Sequence, residues 1–398
     1  MGRFDELVNP CARNDLAMER RTSRQTGALR QAQGRLPAAP SISDCLPALP
    51  PSSSTSPRDP VRPLIKLNAN ESVYGPSPKA LAAMRGALEQ AHLYPDNEAS
   101  PLRQKLAEHH RIRPEQILVS NGLTALLGVI ARTLLRSGLN AVTSACSFIS
   151  YLMVTEAQSA NLVETPLRHG GYDLEAILGT INPETRIVFL ANPNNPTGTL
   201  APADAVDRFL TRVPPHVIVV LDEAYFDYAQ YFAAQRRVEY SRALDYVRAE
   251  RNVVVLRTFS KAHGLAGVRI GYGMGPAELM AYFTKMQDVF AVSMLAQTAA
   301  IAALDDDAHV QYAVENNARQ AEWLAREVEA LGYEVMPTWA NFLSFDVRKD
   351  AREVARRLRR EDVLIRPLGA WGAPTWIRVT LGTAEQNQAF VKAMAAGT

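Results

Sequence analysis

Cysteine is scarce: Cys11, Cys45 and Cys146 are the only three in 398 residues, and none stands in a CxxC spacing. That excludes a disulfide-stapled scaffold and makes a reducing, cytoplasmic setting the expectation. An excess of charge is also missing, because 43 lysines and arginines oppose 41 aspartates and glutamates, leaving a formal +2. Without a field of one sign, neither nucleic acid nor an anionic membrane is expected as a partner. No apolar run reaches the roughly 18 residues that a membrane-spanning helix needs. His109 and His110 are adjacent rather than four apart, and no Cys/His cluster exists, so no metal is expected. What is present, 47 % apolar and 21 % charged residues, describes an ordinary globular protein of one large or two to three smaller domains.

The first 60 residues differ from the rest. They hold eight of the 25 prolines, eight arginines, six acids, no lysine and one aromatic, Phe4. A stretch such as LPALPPSSS buries too little apolar surface to offset the entropy of ordering. Abundant Arg and Ser suggest a transit peptide, but six acids oppose it, and residues 1–60 are read as a disordered N-terminal extension.

From Val61 onward strand and helix alternate. The runs 116–120 (QILVS), 186–191 (RIVFLA), 217–221 (VIVVL) and 252–256 (NVVVL) are apolar and of strand length, and 123–135 reads as a buried helix. Near-continuous apolar strands between helices predict an α/β fold, a mostly parallel sheet covered by helices on both faces. The tail from about Asn316 gives a long amphipathic helix, a strand pair around 342–345 and a helix at 351–360, a smaller α+β unit.

Ligands of an open parallel sheet sit beyond the carboxyl ends of its strands, and each run here is followed by a polar segment. They are Asn121-Gly122-Leu123-Thr124, then Asn192-Pro193-Asn194-Asn195-Pro196, then Asp222-Glu223-Ala224-Tyr225, then Arg257-Thr258-Phe259-Ser260-Lys261 with Arg269 beyond. Each alone has an ordinary structural reading as a turn, a helix cap or a surface charge. Together they converge on one edge of one sheet, and their chemistry interlocks. A lysine amine condenses with an aldehyde, and a carboxylate keeps a pyridine nitrogen protonated. An arginine fork, hydroxyls and the amides of a helix start suit a phosphate. The set describes pyridoxal 5′-phosphate.

These segments resemble those of the fold type I aminotransferases and, within them, the histidinol-phosphate aminotransferase group. The opening LNANESVYGPSP at 67–78 and Tyr94-Pro95-Asp96 are similar to that group's entrance motifs, so the resemblance covers about residues 62 to 395. It implies a large cofactor domain at 94–295 and a small domain formed by 62–93 and 296–395. It implies that Lys261 carries the cofactor, that Asp222 partners the ring nitrogen, and that Asn195 and Tyr225 bond the ring hydroxyl side. Gly122, Leu123, Thr258 or Ser260, and Arg269 would hold the phosphate, and Phe148 would stack on the ring. Tyr94 would reach the cofactor phosphate of a neighbouring subunit, which implies a homodimer. Arg378, with Asn341 beside it, would receive the substrate's anionic group; Arg366 would supply a second cation, and Tyr74 would face substrate. The reaction implied moves an amino group from an amine or amino-acid donor to a 2-oxo acid such as 2-oxoglutarate.

Some positions depart from the group's pattern. Leu123-Thr124-Ala125 stands where Ser-Asp-Glu is usual, so the phosphate cup loses a side-chain donor, and Cys146-Ser147-Phe148 replaces Pro-Thr-Tyr. Two further enzyme readings share the cofactor set: an aromatic amino-acid aminotransferase and a threonine-phosphate decarboxylase-like lyase. A non-catalytic, cofactor-binding regulator is disfavoured by the intact Lys261, Asp222 and Arg269. Gly271-Tyr272-Gly273-Met274-Gly275-Pro276 approaches a dinucleotide fingerprint, but proline fills its third glycine position. The arginine-rich stretch 352–360 reads as a solvated helix face.

Overall fold

The computed structural model describes residues 64–396, so the expected N-terminal extension at 1–60 lies outside the described residues. A seven-stranded sheet organises the larger part. Its order is Ile117–Ser120, Gly271–Met274, Val253–Thr258, Ile218–Asp222, Thr185–Ala191, Asn140–Ser144 and Asn161–Thr165. The five strands from Val253–Thr258 to Asn161–Thr165 run parallel, while Gly271–Met274 is antiparallel to both its neighbours. Each strand of the centre is buried along its length because helices cover both faces. The predicted strands appear at the expected places, and the rejected glycine-rich fingerprint is itself the antiparallel strand. Gly271 and Gly273 serve packing there: a Cβ on either would come within 3.0 Å of Leu123 or Leu126.

Helix Leu123–Leu134 starts directly at the end of strand Ile117–Ser120 and is apolar on several sides, with Leu126, Leu127, Ile130 and Leu134 buried. Helix Asp307–Ala330 leads into a three-stranded antiparallel sheet, Phe342–Asp346, Trp376–Thr380 and Arg366–Pro367, backed by helices Ala351–Arg360 and Ala384–Ala395. On helix Ala351–Arg360, Ala351, Val354 and Leu358 are buried at helical spacing and the arginines turn outward.

Two main apolar clusters follow this division. One surrounds the large sheet and the other joins Leu67, Leu324, Phe345, Leu358, Ile377 and Phe390. Ala80 of helix Pro78–Ala87 and Ala296, Ala299 and Ala300 of helix Met294–Ala303 belong to the large-sheet cluster. Their small side chains let the two helices pack on each other against the large sheet, whereas Leu67 crosses to the smaller unit. Among the described residues no helix is long and apolar enough to cross a membrane.

Candidate active site

The strand ends converge on a cavity of about 450 Å³. Leu123, Asn195, Asp222 and Lys261, each from a different strand end, line it, and Arg366 and Arg378 reach it from the smaller sheet.

Asp222 ends its strand with only 4 % of its surface exposed. Both carboxyl oxygens are held: the Ala224 N–H donates to Oδ1 at 3.1 Å and the Tyr151 hydroxyl donates to Oδ2 at 2.9 Å. Burial pushes its pKa up to about 6, and the Tyr151 and Ala224 bonds and the Lys261 charge oppose the rise. A cation placed against it would favour the carboxylate further.

Lys261 follows strand Val253–Thr258 by three residues, and its Nζ donates to the Asn70 carbonyl oxygen at 3.1 Å. Burial pulls its pKa down to about 8, and the charges of Arg378 and Arg269 act in the same direction. The amine therefore has a far larger neutral fraction near neutral pH than an exposed lysine. Asn70 has a positive φ of 56° and donates through Nδ2 to the Tyr225 hydroxyl at 2.8 Å. Its own N–H is fixed on Thr380 Oγ1 at 2.9 Å.

Gly122 caps helix Leu123–Leu134 with φ of 81°. A Cβ there would stand 2.5 Å from Arg269 Nη2, so only glycine lets the guanidinium lie against the helix start. Arg269 Nη1 donates to Ala266 O at 3.0 Å and approaches Ser260 Oγ at 3.5 Å. Thr258 Oγ1 accepts from the Ser260 N–H at 3.1 Å, and both side chains face the cavity. A guanidinium, two hydroxyls and a helix N-terminus form a donor set for a phosphate. With the carboxylate of Asp222 and the amine of Lys261 in the same cavity, these residues fit pyridoxal 5′-phosphate.

Arg378 is buried, and its pKa is lowered to about 10 by burial. It donates through Nη1 to Asn195 Oδ1 and through Nη2 to Asn68 O at 3.1 Å, while its buried Nε has no hydrogen-bond partner. Such an unpaired donor is an opening for an anionic group. Phe148 lines the cavity.

Four of the expected residues, Gly122, Asn341, Tyr74 and Tyr94, do not line the cavity. Asn341 lies behind it, where Nδ2 donates to Asn70 O at 3.1 Å. Tyr74 packs edge-on against Tyr312 with ring centroids 5.4 Å apart, and burial raises its pKa to about 12. Tyr94 is 81 % exposed and stacked on Phe290 at 4.5 Å. Sequence reasoning in turn missed Tyr151, Asn70 and Trp371. Tyr151 had a faint signal in its i+3 spacing from Phe148. Nothing local to Asn70 announces that its carbonyl meets a lysine 191 residues away.

The family model for class I and II aminotransferases matches residues 62–394. A histidinol-phosphate aminotransferase of Moorella thermoacetica is 40 % identical over 335 residues, 84 % of this chain and 85 % of the relative. The crystal structure of histidinol-phosphate aminotransferase from Sinorhizobium meliloti in complex with pyridoxal 5′-phosphate superposes with a TM-score of 0.78. It is 32 % identical and covers 83 % of this chain and 90 % of its own. An L-threonine-O-3-phosphate decarboxylase from Porphyromonas gingivalis also resembles the fold, with a TM-score of 0.71 and 26 % identity over 83 % of this chain and 98 % of its own.

Proposed function

Because the chain belongs to the class I and II aminotransferases, with the fold type I architecture and pyridoxal 5′-phosphate as cofactor, we propose that its amino donor is histidinol phosphate and its acceptor 2-oxoglutarate. The observation that carries the donor assignment is the pair Arg366 and Arg378 in the cavity that holds Lys261. Two guanidinium groups suit a dianionic phosphate, whereas an amino-acid carboxylate needs one.

The cofactor supplies an aldehyde that takes up the amino group and a ring that withdraws electrons from the adjacent carbon. Lys261 holds it covalently and, once released, moves the proton between the substrate carbon and the cofactor carbon. Its depressed proton affinity suits it to both directions of that transfer. Asp222 holds the proton on the ring nitrogen. Tyr225 and Asn195 bond the ring hydroxyl side. Arg269, Thr258, Ser260 and the amides after Gly122 take the cofactor phosphate, and Phe148 covers the ring and excludes water. Arg378 binds the substrate's anionic end, with Asn341 keeping the Asn70 segment in place and Tyr74 closing the entrance.

The protein acts as a homodimer joined beside Tyr94, which reaches the neighbouring subunit's cofactor phosphate. Support comes from the exposed stack of Tyr94 on Phe290 and from Leu93 and Val289, 56 % and 75 % exposed beside it. Mixing the cofactor-loaded protein with histidinol phosphate, phenylalanine and phosphothreonine in turn tests the donor. Fast bleaching of the cofactor absorbance by histidinol phosphate alone is the expected outcome. The likeness to a threonine-phosphate decarboxylase favours a second reading, and carbon dioxide released from phosphothreonine without a 2-oxo acid would establish it.

A further inference from the structure

Tyr151 is fully buried, yet its hydroxyl is spent on one bond, to Asp222 Oδ2 at 2.9 Å. Its ring is fixed from two sides. It lies parallel on Phe189, with centroids 4.6 Å apart and 3° between planes, and it receives Phe148 edge-on at 5.7 Å and 89°. Phe189 stands two residues before Ala191, whose register partner on the next strand is Asp222. Residues two apart share a face of a strand, so Phe189 and Asp222 lie on the same side of the sheet, and Tyr151 spans them.

A carboxylate turns easily about its last torsion, which is broad and two-fold. The Ala224 N–H fixes one oxygen, and the Tyr151 hydroxyl fixes the other. A phenol is a donor towards a carboxylate, and donation to the ionised form favours that form. The burial that pushes Asp222 up is thereby opposed, with Tyr151 the largest opposing influence. Phe148, the cavity-lining ring, rests on the same tyrosine, so the face above the cofactor and the carboxylate beside it share one support.

We propose that Tyr151 is a positioning residue that holds the Asp222 carboxylate in the plane and charge state in which it meets the ring nitrogen of the cofactor. This rests on the reading of Asp222 as partner of that nitrogen. The test compares equilibrium binding of pyridoxal 5′-phosphate with its 1-deaza analogue, which has carbon in place of the ring nitrogen. The unmutated protein should prefer the natural cofactor. Tyr151→Phe keeps the stacked ring and should narrow that preference about tenfold, the loss of one charge-assisted bond, while leaving analogue affinity unchanged. Fluorinated tyrosine at the same position, a more acidic donor, should widen it. In the cofactor-free protein, the Asp222 carboxyl signal should titrate at higher pH in Tyr151→Phe. Equal losses for both ligands, or an unchanged preference, would overturn the role of Tyr151. If Asp222→Ala also leaves the preference intact, the reading of Asp222 falls, and the role of Tyr151 with it. Analogue binding by each variant reports that the site has folded.

Discussion

Arg366 and Arg378 face each other across an antiparallel strand pair and donate to the same acceptor, the carbonyl oxygen of Asn68, at 3.3 Å from Arg366 Nε and 3.1 Å from Arg378 Nη2. Two like charges thus meet at one carbonyl oxygen in the cavity wall. Burial lowers the pKa of both, and the Arg366 charge lowers that of Arg378 further. A dianion bound between them would relieve that repulsion.

Arg366→Ala should lower kcat/KM for histidinol phosphate by about tenfold to a hundredfold, the loss of one charge-assisted contact of about 1.5–3 kcal/mol. Phenylalanine as donor should lose much less. Equal losses on the two donors would move the assignment to an amino-acid transaminase.

Borohydride reduction of the loaded protein followed by peptide mapping should place the cofactor on Lys261. The motive is its neutral-leaning amine in the cavity. A label on another lysine would show that a different amine does the chemistry.

Uptake of pyridoxal 5′-phosphate by the stripped protein should depend on pH through Lys261. The neutral amine attacks, so the rate should rise with pH and level off above about 8, well below the range of an exposed lysine. Burial is the main cause and Arg378 the next, and therefore Arg378→Leu should shift the midpoint upward. Because the folded state gives up this proton before the unfolded chain does, stability should also rise between about 8 and 10.5. A midpoint unmoved by Arg378→Leu would exclude the through-space coupling.

Phe290→Glu should disrupt association without unfolding the chain, since 41 % of that side chain is exposed and its main ring contact is Tyr94. Sedimentation should give a dimer for the unmutated protein and a monomer for the variant. An active monomer at micromolar concentration would sink the shared-site reading.

The central strands were legible because Val, Ile and Leu run without interruption where both faces are covered. The cavity was legible because those runs end in chemically distinctive residues. The antiparallel strand Gly271–Met274 was not, since its glycines resemble a loop until the neighbouring leucines are in place. The parts played by Tyr151 and Asn341 were hidden for another reason. Each acts on a residue far away in sequence, Asp222 and Asn70, and spacing along the chain carries no trace of such a meeting.

The Asn70 carbonyl oxygen accepts from Lys261 Nζ and Asn341 Nδ2 at once. Whatever takes the amine must first take it from that oxygen. Without the lysine, residues 68–72 keep their bonds to Asn341, Thr380, Tyr225, Arg366 and Arg378. Engagement of that one nitrogen thus removes one of several bonds that hold the chain at the cavity mouth. Amide exchange in this short stretch would therefore read, from outside the cavity, whether the lysine is engaged.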